Sequence, residues 1–95
     1  MSAYEVETSK YDNVQEAIAD SFVEGYEVHL IIEAEPDLFY VLASPERGVA
    51  QVFEYRVEIF GGMYSMRSCT VDVDDAVQEA PGLREMAAVS YTHLT

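Results

Sequence analysis

The chain has 95 residues, with 18 Asp and Glu against 5 Lys and Arg, for a formal net charge of −13. A small domain stays soluble at a charge magnitude of about 2–8, so this excess works against approach to nucleic acid or an anionic membrane and suits a basic partner. With 49% hydrophobic residues the acidity belongs to a folded domain and not to a disordered tract.

Cys69 is the sole cysteine, which excludes an intrachain disulfide and fits a reducing compartment. Met1-Ser2-Ala3-Tyr4-Glu5 has neither the basic nor the apolar region of a signal peptide. The longest apolar run, residues 38–43, is far below the roughly 20 residues that span a bilayer. These features predict a cytoplasmic protein.

Residues 3–8 alternate weakly and read as a short edge strand. Asp12 is placed as a helix N-cap, with Gln15 completing a capping box, and Gly25 as the residue that ends the helix. Val14, Ala17, Ile18, Ser21 and Phe22 share one helical face, which predicts a helix over residues 13–24. Residues 26–34 and 38–43 read as strands joined by Glu35-Pro36-Asp37. A three-residue loop pairs Ala34 with Leu38, Ile32 with Tyr40 and Leu30 with Leu42 on one side, and Ile31 with Val41 and Glu33 with Phe39 on the other. The helix is expected to bury Val14, Ile18 and Phe22 against Leu30, Ile32 and Tyr40.

Residues 49–60 form the next strand, with Phe53, Tyr55, Val57 and Ile59 on one face; Val52 breaks the alternation and predicts a bulge or bend. Gly61-Gly62 is a two-residue hairpin signal. It sets Val57 opposite Met66 and Arg56 opposite Arg67, with Glu54 and Glu58, diagonal to Arg67, placed to neutralise that arginine pair. Asp72 or Asp74 caps a short helix ending before Pro81. The resulting fold class is α+β: an antiparallel meander sheet of four to five strands in β-α-β-β-β-β-α order, one main helix on one face, and a short C-terminal helix.

Residues 1–88 read as one acidic domain and residues 89–95 as a tail. Val89-Ser90-Tyr91-Thr92-His93-Leu94 resembles the translation of a transposon-adaptor end used in sequencing libraries. The resemblance implies a metagenomic assembly in which the natural chain diverges near Ala88.

Asp12, Glu16, Asp20 and Glu24 recur every four residues and would line one side of the helix. Like charges at this spacing cost about 0.2–0.5 kcal/mol per pair. Successive carboxylates rise by about 6 Å, comparable to the phosphate repeat of a nucleic-acid strand. The plain alternative is a solvated helix face. A second candidate is an apolar patch of Ile31, Phe39, Val41 and Ala43, rimmed by Glu27, Glu33, Glu35 and Asp37. It serves either as an interface or as ground covered by Leu83, Met86 and Val89.

Other chemistry finds little support. Glu27, His29 and Glu33 on one strand face would span about 20 Å, too far for a shared metal ion. Asp72-Val73-Asp74-Asp75 lacks the Gly and Glu of a calcium loop. Cys69 has only Arg67 as a nearby cation, which predicts an inert thiol. No phosphate-binding Gly-rich loop is present, so neither an enzyme nor a cofactor is expected. Tyr4, Tyr11 and Tyr26 each precede an acid, a pairing suited to Arg and Lys recognition.

In size and charge, without a shared motif, the chain is similar to the nucleic-acid mimics with which phages block host nucleases, anti-CRISPR proteins among them. The resemblance implies a non-enzymatic inhibitor of a basic protein, such as a nuclease or CRISPR effector, with no direct nucleic-acid or membrane binding. Asp12, Glu16, Asp20, Glu24, Glu27, Glu33, Glu35 and Asp37 would make the contact. Two other readings stay open: an antitoxin-like or homodimeric interaction module acting through Ile31, Phe39 and Val41, and a module that sequesters a small ligand.

Overall fold

The computed structural model describes residues 2–80 and Gly82. Five strands, β1 (Ser2–Glu7), β2 (Tyr26–Glu35), β3 (Leu38–Pro45), β4 (Gln51–Phe60) and β5 (Met63–Val71), form one antiparallel sheet in the order β1-β5-β4-β3-β2. Helix α1 (Val14–Ser21) lies between β1 and β2 in the chain, and α2 (Val73–Glu79) follows β5. This is the α+β order expected from the pattern. No helix among the described residues is long and apolar enough to cross a membrane.

Each face of the sheet carries its own core. On one, Ala17 and Ile18 of α1 pack with Phe39, Val41 and Ala43 of β3, Tyr55 and Val57 of β4, and Tyr64 and Met66 of β5. On the other, Ala76 and Ala80 pack with Leu38, Tyr40 and Leu42 of β3 and Val52 of β4. Each fully buried Val, Leu or Phe contributes about 1.5–3 kcal/mol. The two-sided burial of β3 explains its unbroken apolar run, since both sets of alternating side chains leave water.

The face covered by α1 differs from expectation. The helix does not pack on Leu30, Ile32 and Tyr40, which belong to the α2 side; it covers Ile31, Phe39 and Val41. The reason lies in β1 and β5. Tyr4 pairs with Met66 and Val6 with Tyr64, placing four apolar side chains on the α1 side, whereas Ala3 and Glu5 stand opposite Arg67 and Ser65 on the other. Only one face is therefore apolar across all five strands.

The predicted pairs Ile32–Tyr40, Leu30–Leu42, Ile31–Val41 and Glu33–Phe39 are present. Register shifts between Val28 and Leu30, and between Glu33 and Glu35, insert His29 and Ala34 as extra residues. The first moves Val28 to the α1 side. The second sets Glu35, not Ala34, opposite Leu38, so the turn shortens to Pro36-Asp37. Bulges of this kind bend an edge strand and end its regular pairing.

No bulge occurs at Val52, where β4 pairs in continuous register with both neighbours. Its side chain enters the second core while Phe53 packs against the first, so the broken alternation marks burial on both sides. Val57–Met66 and Arg56–Arg67 pair as expected. Gly61 and Gly62 have φ of 57° and 77°, the left-handed pair of a type I′ turn.

Helix α1 is shorter than predicted. Its N-cap is Asn13, whose side chain accepts from the Glu16 amide, and Asp12 lies one residue outside. The helix stops at Phe22, whose backbone is extended and whose ring meets Phe53 and Tyr26 edge-on at 5.1 and 5.7 Å. Gly25, at φ +92°, serves the turn into β2 and not the helix end. Asp72 is the N-cap residue of α2, without a side-chain capping bond. Leu83, Met86, Val89 and the rest of the 89–95 tail lie outside the described residues.

Candidate partner-binding surface

Only Glu16 and Asp20 of the four-residue repeat lie within α1; Asp12 precedes the cap and Glu24 sits in the turn before β2. The phosphate-like rise of about 6 Å therefore holds between one pair of carboxylates and not along a four-member row. Both are fixed in direction. Glu16 Oε2 accepts the Asp12 backbone N–H at 3.0 Å, the Glu16 N–H donates to Asn13 Oδ1 at 2.8 Å, and the Tyr11 hydroxyl donates to Asp20 Oδ2 at 2.6 Å. That bond, with smaller effects of desolvation and the Asp20 charge, raises the Tyr11 phenol above its ordinary value. Asp12, Glu16, Asp20 and Glu24 are all exposed.

The β2 acids fall on both sides of the sheet edge. Glu33 pairs with Phe39 and so faces the α1 side, while Glu27 and Glu35 stand opposite Ser44 and Leu38 on the other. Asp37 occupies the turn, and all four are exposed. The eight predicted contact residues thus wrap the β2 edge and α1, without forming one flat face.

The apolar patch is a different matter. Phe39 and Val41 are 1% and 0% exposed, and Ile31 is half-buried beside them under α1. As a free surface this candidate is overturned, because the residues form the floor on which the main helix sits.

His29, the extra residue of the first bulge, places Nε2 2.7 Å from Ser44 Oγ and Nδ1 3.5 Å from Glu27 Oε2. A hydroxyl–imidazole–carboxylate sequence is the order of a nucleophile and its base. Here Ser44 is 7% exposed on a central strand and the Glu27 side chain is 80% exposed. The contact satisfies a buried hydroxyl and closes the bulge. Glu33 faces away from Glu27, so these residues do not converge on a metal, and no such group of three ligands occurs among the described residues.

The tyrosines expected to recognise Arg or Lys use their hydroxyls internally. Tyr4 bonds Ser21 Oγ at 2.9 Å, Tyr11 bonds Asp20, and Tyr26 donates to Gln51 Oε1 at 3.3 Å. On the α2 side a cleft of about 610 Å³ is lined by Glu35, Tyr40, Glu54, Arg56, Asp72 and Asp75. Within it Arg56 Nε lies 3.6 Å from Glu54, which also accepts from the Tyr40 hydroxyl at 3.4 Å. Of the Arg56–Arg67 pair expected to be neutralised, Arg56 has Glu54 of its own strand as its partner.

Ion pairs among the described residues join Lys10 to Glu7, His29 to Glu27 and Arg56 to Glu54. None includes Asp12, Glu16, Asp20, Glu24, Glu33, Glu35 or Asp37. The sequence pattern does not point to Ile59 and Phe60, which are 69% and 81% exposed although Ile59 continues the face of buried Tyr55 and Val57. The signal available for them was length, since β4 is longer than the strand beside it. Comparison with protein-family models, curated proteins and solved structures finds no match.

Proposed function

We propose that this protein is a non-enzymatic acidic inhibitor that occupies a Lys/Arg-lined, nucleic-acid-binding surface of another protein, in the manner of phage nucleic-acid mimics. The observation that supports this reading is the state of the acids on α1 and the β2 edge. They are exposed, all but Glu27 stand outside every ion pair among the described residues, and Glu16 and Asp20 are additionally held in place by hydrogen bonds. Unneutralised carboxylates at such density repel one another, and a cationic channel relieves that repulsion on binding. Because the regular spacing is confined to Glu16 and Asp20, recognition rests on the field of the whole acidic edge more than on a phosphate register. Association is then fast and salt-sensitive.

The partner class is a basic nuclease or CRISPR effector in the host cytoplasm. The test is cleavage of DNA by guide-loaded CRISPR effectors and by restriction endonucleases, with wild type and a Glu16→Gln/Asp20→Asn/Glu24→Gln variant. The amides introduced at positions 16 and 20 keep an oxygen that accepts the observed hydrogen bonds, so the variant stays folded and sheds the repulsion between those positions. Wild type is expected to inhibit a member of this panel, in competition with DNA and more weakly as salt rises, while the variant fails. Equal inhibition by both proteins, or no inhibition across the panel, overturns the proposal.

A further inference from the structure

The start of β3, Leu38, pairs with Arg56, so residues 57–60 of β4 run past it. The Val57 N–H is taken by the Asp37 carbonyl at 2.9 Å. Beyond it residues 58–60 have β5 on one side and, among the described residues, no strand on the other. Ile59 and Phe60 lie in this overhang, 69% and 81% exposed. Successive side chains leave a strand on opposite faces, so a single flat cover cannot bury both. The Gly61-Gly62 turn puts no side chain at the apex. Exposed Glu58 adjoins the pair on β4.

We infer that this hairpin tip docks an extended cationic protein segment bearing apolar side chains. The segment lies along the open edge of residues 58–60, its apolar groups against Ile59 and Phe60 and its Lys or Arg against Glu58. An open strand edge supplies main-chain hydrogen bonds, and alternate side chains supply selectivity. Charge selects this occupant. A second copy would bring −13 against −13, and an anionic membrane is repelled in the same way. The inference deepens the proposed function by naming an anchor in the same basic partner. It uses residues separate from α1, so either can fail alone.

Two synthetic peptides of equal charge test it against the full chain, one alternating Lys with Val and Phe, the other alternating Lys with Ser. The apolar peptide is expected to bind about tenfold more tightly. Ile59→Ser/Phe60→Ser should abolish that preference without lowering Tm, since both side chains are exposed. Glu16→Gln/Asp20→Asn should weaken both peptides alike and keep the preference, so a failure of the α1 reading is seen separately. A missing preference in wild type, or one that survives the double variant, overturns the inference. Self-association in sedimentation that the double variant removes would assign the tip to a second copy instead. A preference seen only after deleting residues 83–95 would assign it to the chain's own C-terminal segment, and each of these results also overturns the inference.

Discussion

The Tyr11 hydroxyl donates to Asp20 Oδ2 at 2.6 Å, tying the segment before α1 to the last turn of that helix. A phenolate beside this carboxylate is disfavoured, so Tyr11 titrates above its ordinary value of 10. Tyr55 is raised as well, first by burial and then by its bond to Tyr4. For both, the folded state holds the proton more tightly than the unfolded chain. Their contribution to stability is therefore complete below pH 10 and is lost as pH rises through the folded-state values. Thermal melts should drop in that alkaline range, with Tyr55→Phe flattening the drop. Asp20→Ala, which removes the acceptor, should return Tyr11 towards ordinary titration, read by phenolate absorbance. An unchanged Tyr11 titration in that variant would contradict the contact.

Capping separates Asn13 from its neighbour. Asn13→Ala removes the acceptor of the Glu16 amide and should cost about 0.5–2 kcal/mol in chemical denaturation. Asp12→Ala contributes its backbone N–H to Glu16 unchanged and should stay within about 0.5 kcal/mol. The reverse order would move the cap to Asp12.

Phe39→Ala empties a site that is 1% exposed at the centre of the α1-side core, with an expected loss of about 3–5 kcal/mol. Val41→Lys should prevent folding, because the ammonium would sit where Val41 is 0% exposed. Circular dichroism of the purified variants decides; a well-folded Val41→Lys protein would return this face to the surface.

At the hairpin, an added Cβ on Gly61 or Gly62 meets nothing within 4 Å, so backbone strain alone sets the outcome. Gly62→Val should cost about 1–2 kcal/mol for a branched residue at positive φ. Gly61→Asn should be nearly neutral, as Asn-Gly suits a type I′ turn. Denaturation midpoints of the two variants check the contrast.

Much of the sheet was legible because matching apolar side chains fix register: Ile32 finds Tyr40, Ile31 finds Val41, and Val57 finds Met66. The bulges at His29 and Ala34 were not, since β2 is apolar on both faces and a shift of one residue leaves no hydrophobic side chain stranded. The same two-sidedness concealed which face α1 covers. Tyr4, Val6, Tyr64 and Met66 carry that information, in β1 and β5. The acidic row assumed that the helix continued to Glu24. It ends where Phe22 turns into the rings of Tyr26, Phe53 and Tyr55, a long-range contact that local periodicity does not encode.

The pairing of β1 with β5 has a kinetic consequence. Every other strand pair is made between chain neighbours, whereas Ser2 must find Ser68. Closing that long loop carries the greatest entropy cost of any pair in the sheet, so β1 docks after the β2–β5 meander has formed and is the strand that detaches most readily. Amides of Ser2–Glu7 should exchange with solvent ahead of those in β3 and β4. Each detachment uncovers the β5 edge, a template for strand exchange between molecules, and the mutual repulsion of the highly charged chains keeps such encounters rare.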